Sequence, residues 1–158
     1  SRRMKLHKQL HVDHIDRFIW IFWHNDVSVD GDTVIMSFIH GSCDAQRREV
    51  LWGEMNDFDP GDQPWMLGCD FNIITDPEKG KGRGEFQHQA SRSFAQFLAS
   101  KRHVDLGYSG DPFTWSNNRR GVNHCWSRID RCIANVHSIS MFQNSKVVHL
   151  TRGISNHS

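Results

Sequence analysis

Short apolar runs separated by polar turns are the clearest pattern along this chain. The runs at residues 18–23, 34–40 and 65–67 are bounded by turn-forming residues, which is typical of buried strands. We expect a hairpin through residues 24–26 to connect the first run to a short apolar stretch beyond it. Another apolar run at 146–150 predicts a strand near the end of the sequence.

Two stretches have the spacing of amphipathic helices. Asp44 is a favourable N-cap, and the apolar residues after it share one helical side: Val50, Leu51, Met55 and Phe58. Residues 59–62 contain a Pro-Gly pair and predict the turn that ends this helix. A second predicted helix, near 89–102, would bury Phe94, Phe97 and Leu98.

The C-terminal part of the chain returns to short strands. Residues 104–106 and 113–116 predict strands, and residues 126–134 predict the return strand of a hairpin with a basic loop at 117–121. Strands therefore alternate with helices, but hairpins are mixed in. This order predicts an α/β domain with a mixed sheet.

Composition indicates one globular domain without a strongly basic character. The chain has 158 residues, of which 37% are hydrophobic and 23% charged, and its formal net charge is +1. Attraction to nucleic acid would therefore depend on local patches. No signal peptide or membrane-spanning run is predicted. The four cysteines lack zinc-ligand spacing, so we expect small buried residues or free thiols: Cys43, Cys69, Cys125 and Cys132.

Residues 1–17 form a polar, histidine-rich segment, and we place the domain itself at 18–158. His7, His11 and His14 would share one face if this segment were helical. No carboxylate stands at a ligand-like position beside them, so a solvated helix face is favoured over a metal site.

The predicted strand at Trp65 leads into candidate chemistry. Asp70 and Asn72 follow it two residues apart, so their side chains would lie on the same side at the edge of a sheet. A carboxylate can accept a proton from water, and an amide can hold that water or a phosphate oxygen. The alternative is an Asx turn that simply ends the strand.

Further motifs follow the Asp70 strand in order: Val104-Asp105-Leu106-Gly107-Tyr108, Phe113-Thr114-Trp115-Ser116-Asn117, Ser127-Arg128-Ile129-Asp130-Arg131, and Ser155-Asn156-His157. Together with Gly68-Cys69-Asp70-Phe71-Asn72, this series resembles the endonuclease domain of plant non-LTR (LINE-type) retrotransposons. That domain belongs to the endonuclease/exonuclease/phosphatase superfamily and is similar to apurinic endonucleases. The resemblance covers about residues 18 to 158.

The resemblance implies a four-layer α/β sandwich and Mg²⁺-dependent nicking of DNA. It implies that Asp70 activates or aligns the attacking water and that Asn72 holds this water or the scissile phosphate. Asp130 would orient His157, which would contact the phosphate and stabilise charge in the transition state. His40 would donate a hydrogen bond to phosphate from a position where many relatives carry tyrosine.

The resemblance also implies a DNA-facing surface. Arg119 and Arg120 lie in the predicted basic hairpin loop, and Thr114 and Ser127 would line the edge that faces DNA. A nucleic-acid role implies a nuclear or cytoplasmic location. We expect DNA as the partner, no membrane association and no obligate protein partner.

Two departures from the family pattern indicate a degenerate, N-terminally truncated domain. The early strand with its Asn and its metal-binding Glu has no counterpart, and Asn156 stands where the family has Asp, which leaves a weaker metal ligand. We therefore predict an Mg²⁺-dependent DNA endonuclease fold with weak or no activity. Two different functions are compatible with the same motifs: a non-catalytic nucleic-acid-binding remnant, and a phosphatase of the same superfamily.

Structural roles remain open for several of these residues. Asp130 stands between Arg128 and Arg131 and would form a surface ion pair if it has no catalytic role. His40 would be a core histidine if it does not reach phosphate. Trp115 and Trp126 would pack within the domain rather than stack on bases, and residues 79–84 would form a mobile loop rather than contact phosphate.

Overall fold

The computed structural model describes residues 11–15, 19–29, 32–82, 87–150 and 155–157. Three α-helices and eleven strands follow one another along these residues: β1 (His11–Ile15), β2 (Ile19–Val29), β3 (Asp32–His40), α1 (Ala45–Asp57), β4 (Trp65–Asp70), β5 (Gly80–Lys81), α2 (His88–Ser100), β6 (Val104–Asp105), β7 (Ser109–Gly110), β8 (Trp115–Ser116), β9 (Trp126–Ser127), β10 (Asp130–Ala134), α3 (Val136–Met141) and β11 (Val148–His149). Two short 3-10 helices, Pro77–Lys79 and Gly121–Asn123, lie between them.

A six-stranded mixed sheet carries the fold, with the strand order β1-β2-β3-β4-β10-β6. Strands β3 and β4 are parallel and are joined through α1, whereas the other neighbours in this sheet are antiparallel. The prediction of a mixed α/β sheet is therefore confirmed. A three-stranded sheet, β5-β9-β8, and a two-stranded sheet, β11-β7, accompany it. The four-layer sandwich and the truncation stay predictions.

The beginning of the sheet differs from the prediction. Strand β2 continues through residues 24–26 to Val29, so the hairpin expected there is wrong; its pairing with β3 shifts register between His24 and Val29. Residues His11–Ile15 form a strand paired with β2, which contradicts the predicted helix at His11 and His14. His7 lies outside the described residues.

Aromatic and branched side chains from both helices and the central strands form the core. In α1, the buried apolar residues are Leu51, Trp52 and Met55, whereas Val50 is 61% exposed, contrary to the prediction. The helix begins as predicted, because the Asp44 carboxylate accepts a hydrogen bond from the backbone N–H of Arg47 at 2.9 Å. The remaining large core side chains include Ile35, Ile39, Trp65, Leu67, Phe71, Phe94, Phe97 and Ile133.

The predicted return strand 126–134 is divided into two strands that belong to different sheets. Strand β9 joins the three-stranded sheet, and β10 pairs with β4 in the large sheet. Between them, the Thr114 hydroxyl accepts hydrogen bonds from the backbone N–H groups of Ile129 and Asp130, at 3.1 and 3.0 Å. These bonds satisfy the backbone where it crosses between sheets and fix the start of β10.

Within the described residues, no helix is both long and apolar enough to cross a lipid bilayer.

Candidate functional site

Three polar residues stand side by side at one edge of the large sheet. His40 and Asp70 are the last residues of β3 and β4, Asp130 is the first residue of β10, and the register pairs Asp70 with both of the others. Side chains at paired positions of neighbouring strands lie on the same face of a sheet. The strand register therefore brings together residues that are 30 and 60 positions apart in the sequence.

The turn after β4 positions Asn72 against Asp70. The Asn72 backbone N–H donates to Asp70 Oδ1 at 2.7 Å, and its side-chain Nδ2 donates to Asp70 Oδ2 at 3.0 Å and to the Gly41 carbonyl at 2.7 Å. The Asx turn considered from the sequence is thus present. Both amide hydrogens are used, and Asn72 Oδ1 accepts a weak hydrogen bond from the Cys43 thiol at 3.8 Å. An amide oxygen has two lone pairs, so Oδ1 can accept a second hydrogen bond from a ligand.

Gly41 permits this arrangement because the backbone after β3 lies directly against the turn after β4. A Cβ atom at Gly41 would lie 2.4 Å from the carbonyl oxygen of Phe71, which is too close for any side chain. The Gly41 N–H donates to the Asp70 carbonyl at 2.7 Å. Asn72 itself has φ +49°, a left-handed conformation that asparagine tolerates better than most residues.

Burial raises the pKa of the Asp70 carboxyl above its usual value. The backbone hydrogen bond from Asn72 opposes this effect, the Asp130 charge adds to it, and His157 and His40 lower the pKa again. A carboxylate with a raised pKa is a better proton acceptor, so Asp70 has the character of a general base.

Asp130 forms an ion pair with His157 beside Asp70. His157 Nδ1 lies 3.0 Å from Oδ2 and 3.2 Å from Oδ1 of Asp130. When Nδ1 carries the proton toward the carboxylate, Nε2 is left for a ligand, and the carboxylate stabilises the protonated ring. The side chains of His157 and Asp130 are 38% and 24% exposed, so a ligand can reach the pair.

The prediction of a surface ion pair between Asp130 and its neighbouring arginines is wrong. Arg128 and Arg131 both bind Asp105, at 2.8 and 3.0 Å, and both guanidinium groups are buried. Burial acts to raise the pKa of the Asp105 carboxyl, but the hydrogen bond and charge of Arg128, the Gly107 N–H and the charge of Arg131 lower it below its usual value. His40 is exposed, so a core position for this residue is also wrong.

Asn156 is tied to the hairpin beside the site. Its carbonyl accepts from the Ser116 N–H at 3.0 Å, and its Oδ1 accepts a short hydrogen bond from Asn118 Nδ2. The next residue, His157, forms a backbone bridge to Trp115. These contacts hold residues 155–157 beside β8 and use the amide oxygen that we predicted as a weak metal ligand.

The described residues do not fit a dedicated Mg²⁺ site. Within these parts of the chain, no group of three or more His, Cys, Asp or Glu side chains is arranged to hold a metal. Both Asp70 oxygens accept hydrogen bonds from Asn72, Asp130 is paired with His157, and Asn156 Oδ1 is paired with Asn118. Magnesium needs oxygen ligands that are free to coordinate it, and these oxygens are already engaged.

The four residues predicted to bind DNA differ in accessibility. Arg119 and Arg120 are exposed in the loop, which Asn117 braces by accepting hydrogen bonds from the N–H groups of Arg119 and Cys125. Thr114 is only 1% exposed, and its hydroxyl serves the backbone of β10, so its position gives no support to a DNA contact. Ser127 is half-buried on β9.

A cavity of about 270 Å³ opens beside Asn72. The sequence identified Asn72 and Ser127 among its lining residues as site residues, but it did not single out Arg48 or Gln87, which also line it. Arg48 could have been identified from its place on the face of the predicted helix that is buried, since charged residues are rarely buried without a reason. No comparable signal identifies Gln87.

Comparisons with known proteins bear on the fold. No protein-family model matches this sequence, and no curated protein matches it. Among solved structures, a beta toxin from Staphylococcus aureus superposes with a TM-score of 0.53 at 16% identity, over 85% of this chain and 48% of that one. The two chains share a fold.

Further structural neighbours include proteins of the endonuclease/exonuclease/phosphatase type. One is a family protein of that name from Leptotrichia buccalis (TM-score 0.45, 13% identity, 75% of this chain and 41% of that one). Another is a 3′ phosphatase from Neisseria, NExo, bound to a product DNA hairpin (TM-score 0.45, 15% identity, 81% and 57%). These TM-scores lie below 0.5, so neither of these two structures carries an argument about the fold. The chain spans about half the length of the structures that it resembles.

Proposed function

We propose that this chain carries the site of a phosphodiester hydrolase that acts on DNA, with weak or no turnover. The observation that supports this function is the alignment of Asp70 with the Asp130–His157 pair, 3.0 Å between Oδ2 and Nδ1, at one edge of the sheet. The resemblance of the ordered motifs to plant retrotransposon endonucleases, and the truncated four-layer sandwich that it implies, belong to the same proposal.

Each group at the edge has a chemical task that its surroundings favour. Asp70, whose pKa is raised by burial, accepts a proton from the attacking water, which Asn72 Oδ1 orients. His157 presents Nε2 to the phosphate and stabilises the negative charge that develops there, while Asp130 fixes the ring and balances its charge. His40, exposed at the end of β3, supplies a further donor to a phosphate oxygen.

Impaired turnover follows from the missing metal ligands. A bound Mg²⁺ would polarise the phosphate and stabilise the leaving group, but the described residues do not fit such a site. General acid–base catalysis alone contributes about 10²- to 10⁴-fold, which is far below what phosphodiester cleavage requires. We therefore expect slow nicking at most, in a nuclear or cytoplasmic setting where DNA is the partner.

Nicking of supercoiled plasmid, with and without added Mg²⁺, tests this function. We expect slow nicking that Asp70→Asn removes, because the amide cannot accept the proton. Asn156→Asp restores the carboxylate of the family pattern and should accelerate nicking only when Mg²⁺ is added. Nicking that persists in Asp70→Asn would contradict the proposal.

A second candidate is a remnant that binds nucleic acid without cleaving it. It is favoured by the exposed pair Arg119 and Arg120 together with the occupied Oδ1 of Asn156. This function predicts DNA affinity that falls steeply with salt and that weakens in Arg119→Ala/Arg120→Ala, with no turnover. The third candidate, a phosphatase of the same superfamily, predicts release of phosphate from small phosphoesters and no action on DNA.

A further inference from the structure

The cavity beside Asn72 combines apolar walls with one strongly charged element. Its volume is about 270 Å³, and Ile73, Trp115 and Ile129 contribute the apolar walls. Asn72 and Arg48 also line it. The cavity therefore continues the candidate site, and any ligand inside it would lie next to the turn that carries Asn72.

Arg48 is buried in the wall without a neutralising partner. It is 2% exposed, and its guanidinium donates only to neutral acceptors, the Ser42 carbonyl at 2.7 Å and Gln87 Oε1 at 2.9 Å. Its Nε has no hydrogen-bond partner, and no carboxylate of the described residues forms an ion pair with it. Desolvation lowers the pKa of this guanidinium, while Cys43, Asp44 and Asp70 oppose that change through their charges.

Burying the Arg48 charge in this way destabilises the folded protein unless a negative charge offsets it. A buried cation that lacks an opposite charge destabilises the folded protein, so a partner of negative charge would be favoured nearby. The neighbouring residue on the same helix, Arg47, is exposed and free of this cost. The difference between the two arginines points to the cavity, rather than the general surface, as the place where the buried charge acts.

We propose that this cavity binds the terminal phosphate of a nucleotide, with Arg48 supplying the balancing charge and the apolar walls contacting the attached sugar and base. The proposal goes beyond the proposed function. The hydrolytic site is proposed to act on internal phosphodiesters, whereas the cavity beside it takes a ligand of another class, a DNA end or a nucleotide that carries a phosphomonoester.

Calorimetric titration with thymidine 5′-monophosphate and with thymidine, both in EDTA, tests this directly. We expect the monophosphate to bind about tenfold or more tightly than the nucleoside, since a charge-assisted interaction is added. Arg48→Gln should remove this preference while thymidine binding is retained, which also demonstrates that the variant folds. Arg47→Gln, the matched control, should keep the preference.

Two results would overturn the proposal. One is equal affinity for the monophosphate and the nucleoside in the unmodified chain. The other is an equal loss in Arg47→Gln and Arg48→Gln, which would indicate a general effect of surface charge. If Arg48→Gln does not fold, Ile74→Trp decides instead: filling the cavity should abolish binding of the monophosphate, whereas unchanged binding would place the ligand elsewhere and contradict the assignment.

Two further comparisons distinguish the possible sources of the phosphate and show which of the two proposals fails. A short duplex with a 5′-phosphate, compared with the same duplex lacking it, distinguishes a DNA end from a free nucleotide. Because every titration is performed in EDTA and measures binding, phosphate-dependent binding without plasmid nicking would favour the non-catalytic candidate and leave this site standing. Nicking without phosphate-dependent binding would do the reverse.

Discussion

Two carboxylates near strand β10 have the same exposure but opposite surroundings. Asp105 and Asp130 are each 24% exposed in their ion pairs, yet Asp105 binds two buried arginines, Arg128 and Arg131, and Asp130 binds one partly exposed histidine. In the first pair, both carboxylate oxygens are used by cations that solvent cannot reach. In the second, the histidine keeps Nε2 for a ligand. The difference teaches that the partner's burial, not the carboxylate's, separates a structural ion pair from a candidate catalytic one.

The strongest test of this comparison is Asp105→Asn. Removing this charge leaves two buried guanidinium groups without a counter-charge, so we expect unfolding free energy to fall by about 3–5 kcal/mol. Urea denaturation measures this change. Asp62→Asn is the control, because Asp62 is fully exposed and its loss should leave the denaturation midpoint unchanged. A small effect of Asp105→Asn would mean that solvent compensates the arginines.

A second contrast is between two histidines: His157 is partly exposed and paired with Asp130, whereas His103 is buried and has no hydrogen-bond partner among the described residues. His103 is 6% exposed, lies against Trp65 and Phe97, and has no hydrogen-bond partner on either ring nitrogen. Burial lowers the pKa of His103 to about 4, from the ordinary value of 6.5. Between these values the unfolded chain binds a proton that the folded chain does not, so stability present above pH 6.5 is lost as the pH falls toward 4.

The full loss from His103 would be about 3 kcal/mol. His103→Phe keeps the aromatic contacts but cannot titrate. The change in unfolding free energy between about pH 7 and pH 5 should therefore be smaller in this variant than in the parent. Carboxylates contribute little in this pH range, because most of them titrate below it. Parallel urea titrations at both pH values measure the difference. Identical pH dependence in parent and variant would exclude His103 as the cause.

A smaller effect is expected at Cys69, which precedes Asp70. Its φ of +90° lies in the left-handed region that favours glycine, so the cysteine holds strained backbone beside the site. Cys69→Gly should stabilise the fold by about 1 kcal/mol after the entropic cost of glycine. Cys69→Ala retains a Cβ atom and should bring no gain. If both variants melt at the same temperature, strain at this position is negligible.

The smallest effect on stability is expected for Asp130→Asn. An ion pair to a partly exposed histidine contributes less than about 1 kcal/mol, so thermal unfolding should change little. Any measured nicking, by contrast, should fall on the order of 10²-fold because His157 loses its orientation and charge balance. A large loss of stability, or unchanged nicking, would mean that Asp130 does not differ from Asp105 in being a catalytic rather than a structural carboxylate.

Local sequence patterns were sufficient for the elements that depend on local chemistry. Asp44 caps α1 as expected, β4 ends at Asp70, and α2 buries Phe94 and Phe97. Capping, apolar periodicity and turn residues act over a few positions, so they can be read directly. They were less reliable at the start of the sheet: the polar residues His24-Asn25-Asp26 suggested a turn, but they lie within β2, whose register with β3 shifts between His24 and Val29.

The motif order indicated the candidate site residues, but not their contacts. Register alone aligned His40, Asp70 and Asp130 across three strands, since residues far apart in sequence meet only when strands pair. The same is true of Arg128 and Arg131, which are close to Asp130 in the sequence but bind Asp105, 23 and 26 positions away, in the fold.

The sequence by itself determined the mixed α/β character, the strand that ends at Asp70, and the residue types available for phosphate chemistry. Only the tertiary structure decided which of these residues have free atoms. Asn156 shows this clearly, because its amide oxygen is used by Asn118 from another part of the chain. Arg48 is the opposite case, a charge that long-range packing buried without a partner. Both outcomes depend on contacts between distant segments, which no local pattern specifies.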